Sequence, residues 1–186
     1  MEKERKKILV VGAGGFAGGF IVEEGLRRGY DVWAGVREST SRKYLTDPRI
    51  HFIVFDFDAD DPRRALAERL RADAPEGGWD WIIYNLGATK CLRFSDFSRI
   101  NCDYLQWMLD ALKQSDLIPE KFLFVSSLSA MGAGRKGELR TLHGEDGAAA
   151  KHPLRDIEAQ GRDDSADVRG ALYRLPRDGP LRSARP

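Results

Sequence analysis

Ile8-Leu9-Val10-Val11-Gly12-Ala13-Gly14-Gly15-Phe16-Ala17-Gly18-Gly19 reads as a buried strand running into a tight turn and a helix start. Four apolar residues precede the glycines, and Phe20, Ile21, Val22 and Leu26 follow at helical spacing. Gly12, Gly15 and Gly18 form G-x-x-G-x-x-G. Glycines let a backbone turn sharply and approach a ligand closely. A helix start adds unpaired N–H groups and a partial positive charge, which suit a phosphate. A glycine pattern gains weight in this context, after a strand and before a helix.

Upstream lies only the charged run Met1 to Lys7, which meets a short apolar core, so no secretory leader is expected. Downstream, Gly29 closes the first helix and Asp31–Val36 is a second strand ending at Arg37. Ser39 to Leu45 predicts a capped short helix stopped before Pro48. Ile50 to Phe55 is a third strand ending in Asp56-Phe57-Asp58, and Pro62 opens a helix through Leu70. Trp81–Tyr84 is a fourth strand, ending in Asn85-Leu86-Gly87-Ala88. A helix from about Asp96 to Lys113 carries Ile100, Tyr104, Trp107, Met108, Ala111 and Leu112 as an apolar stripe, read as core. Lys121 to Val125 is a fifth strand, ending in Ser126-Ser127.

Strands that alternate with helices and are apolar on both faces imply a parallel sheet covered on both sides. The expected fold is α/β, a Rossmann-type doubly wound parallel sheet of about five strands over residues 1–134. Ligands on such sheets bind at the carboxyl ends of the strands, where Gly12, Arg37, Asp56, Asn85, Ser126 and Ser127 fall.

These motifs resemble an extended short-chain dehydrogenase/reductase, the NAD-dependent epimerase/dehydratase group. V-V-G-A-G-G-F-A-G, F-D-F-D, Y-N-L-G-A and F-L-F-V-S-S-L-S-A-M-G carry the likeness, from Lys7 to about Gly132. The resemblance implies that Gly12, Gly15, Phe16 and Gly18 hold a dinucleotide pyrophosphate. It puts Asp56 and Phe57 at the adenine, and Leu86, Gly87 and Ala88 along the ribose and pyrophosphate. Asn101 would help hold the active-site strand, and Ser127 would be the catalytic hydroxyl. Asp56 could also cap the following helix. Intact relatives are expected to act on a small molecule, such as a nucleotide sugar, and to be homodimers.

The cofactor is NADP or NAD. An NAD site usually places an acid about 20 residues past the glycines. Val36 stands there, followed by Arg37, with Arg42 and Lys43 close behind. A guanidinium suits a 2′-phosphate, so NADP is favoured.

Charge and composition bear on partners and setting. With 30 basic and 29 acidic residues the net charge is +1, which gives no global field for nucleic acid or an anionic membrane. Cys91 and Cys102 show no metal-ligand pattern, and a reduced, cytoplasmic setting fits. His51, inside a strand, reads as a packed or edge histidine.

The family's chemistry, as the resemblance implies, needs a tyrosine and a lysine four residues later. No such pair follows Ser127. From Arg135 to Pro186 there is no Phe, Trp, Met or Cys, and only one Ile, one Val and one Tyr. Residues 135–186 are therefore expected to be a poorly ordered, partly helical tail outside the family pattern. Read from the second base of each codon, Pro153 to Asp163 can encode P-Y-G-I-S-K-L-K-A-E, and Leu172 to Arg185 can encode Y-T-V-F-R-A-T-G-L-Y-G-P-R. The first restores the missing Y-x-x-x-K and the second resembles the family's next strand. The tail reads as translated out of frame, the shift lying between about Gly132 and Leu142.

Overall fold

The computed structural model describes residues 5–126, together with two short strands at 167–168 and 171–173. The element order is β1 (Lys7–Val11), α1 (Phe16–Arg27), β2 (Asp31–Val36), β3 (His51–Val54), α2 (Pro62–Asp73), β4 (Trp81–Tyr84), α3 (Phe94–Ser98), a π turn (Arg99–Asp103), α4 (Tyr104–Gln114) and β5 (Lys121–Phe124). Strands β1 to β5 pair in parallel in the order β3-β2-β1-β4-β5. The Rossmann-type sheet expected from the sequence is present.

The apolar runs have no polar alternation because both faces of the sheet are covered. Successive strand residues point to opposite faces. Leu9 and Val11 therefore join Phe55, Leu66, Leu70, Ile82, Tyr84, Met108, Leu112 and Phe122 beneath α2 and α4. Ile8 and Val10 join Val22, Leu26, Val32 and Ala34 beneath α1. Register aligns the carboxyl ends: Val11 pairs with Gly35 and Tyr84, Val36 with Val54, and Tyr84 with Phe124.

At the opposite edge, the Lys6 ammonium joins Asp80 at 2.8 Å and Glu120 at 3.1 Å, tying together the starts of β1, β4 and β5. His51, exposed on edge strand β3, stacks on Trp33 at 4.5 Å between ring centroids, as its position in a strand implied.

Three local expectations are corrected. Ser39 to Leu45 forms no helix. Single turns close from Thr40 N–H to Arg37 C=O and from Leu45 N–H to Arg42 C=O, at 2.9 and 2.8 Å. Seven residues offer too little propagation to repay a helix nucleus. The cations at its centre lie on rings instead, Arg42 over Phe52 and Lys43 over Tyr44. The long helix is interrupted by the π turn at Arg99–Asp103. And a strand exists beyond β5: Ala171–Tyr173 (β7) pairs antiparallel with β5 and with Asp167–Val168 (β6). The run Ala171-Leu172-Tyr173 is short enough to vanish in the tail's average composition, yet three residues suffice to pair with the open edge of β5. The rest of the tail and the region of the inferred frame change lie outside the described residues.

Candidate dinucleotide site

The glycine turn is built from backbone alone. Gly12 leaves β1 at φ +85°, in the region that favours glycine. Its N–H and that of Ala13 both donate to the carbonyl of Gly35, at 2.9 and 3.1 Å, anchoring the turn to β2. A Cβ on Gly12 would stand 2.8 Å from the Leu86 nitrogen. A Cβ on Gly18 would stand 2.3 Å from the Gly12 oxygen. The first turn of α1 therefore lies directly on the glycine turn, and the β4 loop closes against its other side. Gly15 caps α1 without any side-chain hydrogen bond, and the first turn holds no acidic residue. That leaves the helix start open to an anion. Phe16 stands beside it, 87% exposed, edge-to-face with Phe20.

The family model described as NAD dependent epimerase/dehydratase matches residues 8–153. The chain belongs to that family. The match runs past Gly132, where the motifs recognisable by eye end. No curated protein sequence matches the chain. Among solved structures, the UDP-glucose 4-epimerase of Thermus thermophilus in complex with NAD is 21% identical, with a TM-score of 0.64 over 82% of this chain and 47% of that one. The Bordetella bronchiseptica enzyme WbmG in complex with NAD is 12% identical, with a TM-score of 0.63 over 86% of this chain and 49% of that one. The dTDP-glucose 4,6-dehydratase of Bacillus anthracis in complex with NAD is 18% identical, with a TM-score of 0.64 over 83% and 47%. These likenesses establish the fold, and the chain spans about half the length of the solved structures it matches.

Around the glycine turn of this family member, the other sequence candidates fall at the same sheet edge. Arg37 is exposed at the end of β2, and Val36 before it is buried. Among the described residues the Arg37 guanidinium makes no ion pair or ring contact. Asp56 is exposed at the end of β3 and accepts from the Asp58 N–H at 2.9 Å. It does not cap α2; Asp61 does, accepting from the Arg64 N–H at 3.2 Å. Phe57 turns its ring into the core, 3% exposed and stacked on Tyr104 at 4.7 Å. Leu86 is half-buried and Gly87 is exposed.

Asn101 spans Ala88. Its Oδ1 accepts from the Ala88 N–H at 2.9 Å, and its Nδ2 donates to the Ala88 carbonyl at 3.1 Å and the Phe97 carbonyl at 2.9 Å. Among the described residues it thus holds the β4 loop, where the sequence reading expected it to hold the active-site strand. Ser127 lies outside the described residues; Ser126 before it is half-buried.

The π turn does what an α-helix could not. Its i→i+5 hydrogen bond runs from the Tyr104 N–H to the Arg99 carbonyl. Five residues in an α-helix span about 500°, which leaves their side chains roughly 140° apart. In the π turn the Arg99 guanidinium lies 6.0 Å from the Tyr104 ring centre, and both reach Asp58: the Tyr104 hydroxyl donates at 2.7 Å and the Arg99 guanidinium stands at 3.6 Å. One helical segment therefore grips the loop after β3 through Asp58 and the loop after β4 through Ala88. Sequence reasoning missed Asp58, Arg99 and the Tyr104 hydroxyl, because a tyrosine on an apolar stripe carries no sign of its polar end.

Burial, then the Asp58 carboxylate it donates to, pushes the Tyr104 hydroxyl up to about 12. The unfolded tyrosine titrates near 10. Stability from this group is thus complete below pH 10 and is lost as pH rises toward 12. The buried Tyr84 hydroxyl is raised by burial and acts in the same direction. The urea midpoint should fall across that interval, and fall less steeply in Tyr104→Phe. At pH 7 that variant should lose about 1 kcal/mol, the net worth of one hydrogen bond.

No group of His, Cys, Asp and Glu among the described residues is placed to hold a metal. None of their helices is long and apolar enough to cross a membrane.

Proposed function

We propose that this chain is the NAD(P)-binding domain of an epimerase/dehydratase-type oxidoreductase, with residues 1–134 binding cofactor; the family match runs on to residue 153, so the chain departs from the family pattern after that point. The observation that carries it is the open start of α1 on the glycine turn: Gly12 and Gly18 let backbone pack on backbone, and Gly15 caps a helix whose first turn holds no acid. A pyrophosphate needs that close backbone approach. Gly12, Gly15, Phe16 and Gly18 would hold the pyrophosphate, and Leu86, Gly87 and Ala88 would line the adjoining ribose. Asp56 and the Phe57 backbone would meet the adenine, since the Phe57 ring is committed to the core. Bound nicotinamide would supply hydride exchange with a substrate carbon, in intact relatives that of a nucleotide sugar. Ser127 would orient that substrate. Solved relatives with NAD, and one from Thermotoga maritima with UDP-glucose, support these assignments.

Arg37 favours NADP. It is exposed at the strand end and among the described residues has no carboxylate bound to it, while Arg42 and Lys43 lie over rings. Titration of the purified protein should give tighter binding of NADP than NAD. Arg37→Ala should weaken NADP by about 10–100-fold and barely change NAD, since a bidentate charged contact is lost. Tighter NAD binding in the unaltered protein would overturn the preference.

A non-catalytic binding or sensing role is the second reading, favoured by the absent tyrosine–lysine pair. Cofactor binding without turnover distinguishes it from a working enzyme.

A further inference from the structure

We propose that Tyr104 is a positioning residue for base recognition: acting through Asp58, its hydroxyl holds the Asp56 carboxylate where it can accept from a purine amino group. The inference rests on the cofactor reading above and adds to it the residue that sets the direction of Asp56.

Asp56 and Asp58 are joined. The Asp58 N–H donates to Asp56 Oδ1 at 2.9 Å. That bond occupies one oxygen of the exposed Asp56 carboxylate and restricts where the other points. Among the described residues no group donates to Asp56 Oδ2. A carboxylate only accepts, so the remaining oxygen suits an N–H donor and repels a carbonyl.

Asp58 is itself exposed on the loop after β3, its side chain 59% open to solvent. Its Oδ1 accepts from the Tyr104 hydroxyl at 2.7 Å and lies 3.6 Å from the Arg99 guanidinium. Arg99 is exposed, whereas Tyr104 is buried and its ring stacks on Phe57 at 4.7 Å. Tyr104 therefore holds Phe57 by its ring face and Asp58 by its hydroxyl. The two residues that follow Asp56 are fixed by one buried side chain, and with them the N–H that braces Asp56. The core does not require the hydroxyl, since a phenylalanine would make the same stack. Among the described residues that hydroxyl is spent on Asp58 alone.

The hydroxyl should thus govern which base is bound. The probes are NADPH, NADH and the analogue of each in which hypoxanthine replaces adenine, putting a carbonyl where the amino group stands. Binding is followed by nicotinamide fluorescence. The unaltered protein should bind the adenine forms about tenfold more tightly, the worth of one hydrogen bond to a charged group. Tyr104→Phe should shrink that preference to about threefold or less by weakening the adenine forms alone. Asp58→Ala should do the same. Asp58→Asn, whose amide oxygen still accepts from Tyr104, should keep the preference. Equal weakening of both bases by Tyr104→Phe would show a structural role alone and overturn the proposal, as would Asp58→Asn behaving like Asp58→Ala. If the unaltered protein prefers adenine and Tyr104→Phe retains that preference, Tyr104 fails and the cofactor reading stands. If the unaltered protein binds both bases equally, the Asp56 assignment falls with this one; if it binds no dinucleotide, the whole cofactor reading falls too.

Discussion

The purified 186-residue chain, given saturating NAD or NADP and UDP-glucose or a simple carbonyl compound, is expected to bind dinucleotide and turn nothing over. Proton transfer at the substrate hydroxyl requires a phenol that ionises near neutrality, and a neighbouring ammonium is what lowers it. The five tyrosines, Tyr30, Tyr44, Tyr84, Tyr104 and Tyr173, are followed four residues later by Ala34, Pro48, Ala88, Met108 and Arg177. None has its lysine. Tyr84 at the end of β4 and Tyr104, whose hydroxyl reaches the loop after β3, are pushed upward by burial, the wrong direction for an acid or base. Loss of such a group alone costs about 10²–10⁴ in rate. A gene corrected by one base between the codons for Gly132 and Leu142 should encode P-Y-G-I-S-K in place of the present tail and regain that factor. Turnover by the 186-residue chain at an ordinary enzymatic rate, about 1–10³ s⁻¹, would refute the reading, and so would stop codons throughout the other frame.

Gly18→Ala is expected to abolish dinucleotide binding and to cost about 2–3 kcal/mol of stability, the usual scale for forcing an extra methyl into a packed site. The methyl would lie 2.3 Å from the Gly12 oxygen and 2.8 Å from Ala13 Cα. Both are backbone atoms of the turn itself and cannot swing aside as a side chain would. Helix α1 would have to lift from the turn, withdrawing its N-terminus from the anion. Gly19→Ala is the matched control: nothing lies within 4 Å of its Cβ, and alanine inside a helix gains roughly 0.5–1 kcal/mol over glycine. Urea unfolding and cofactor titration of the pair would settle the point. Retained binding in Gly18→Ala would refute the assignment of this turn to the pyrophosphate.

The first half of the fold was legible because its signals are redundant. The run Ile8 to Val11 is apolar at both parities, which only a strand covered on two faces requires. The polar residue at each strand end then marked the carboxyl edge of the sheet, where the candidate site lies. Legibility failed where one residue type has several uses. From Asp56 to Pro62 there are four aspartates: Asp56 braces its own turn, Asp58 binds Tyr104 and Arg99, and Asp61 caps α2. Composition cannot assign those roles, although the proline after Asp61 marks the cap in retrospect. The π turn left no trace because R-I-N-C-D-Y reads equally well at α spacing.

The π turn also limits how this sequence can vary in length. Arg99 and Tyr104 face Asp58 together only because one extra residue is looped out between them, while Asn101 within the loop faces Ala88. Deleting Ile100 would restore regular winding and leave Arg99 and Tyr104 four positions apart, about 40° round the helix and still on one face. The hold on Asp58 would survive, while Asn101, no longer carried by a widened turn, would lose its aim at Ala88. The extra residue is what lets one helix hold two loops at once, and a single-codon deletion would separate the two holds.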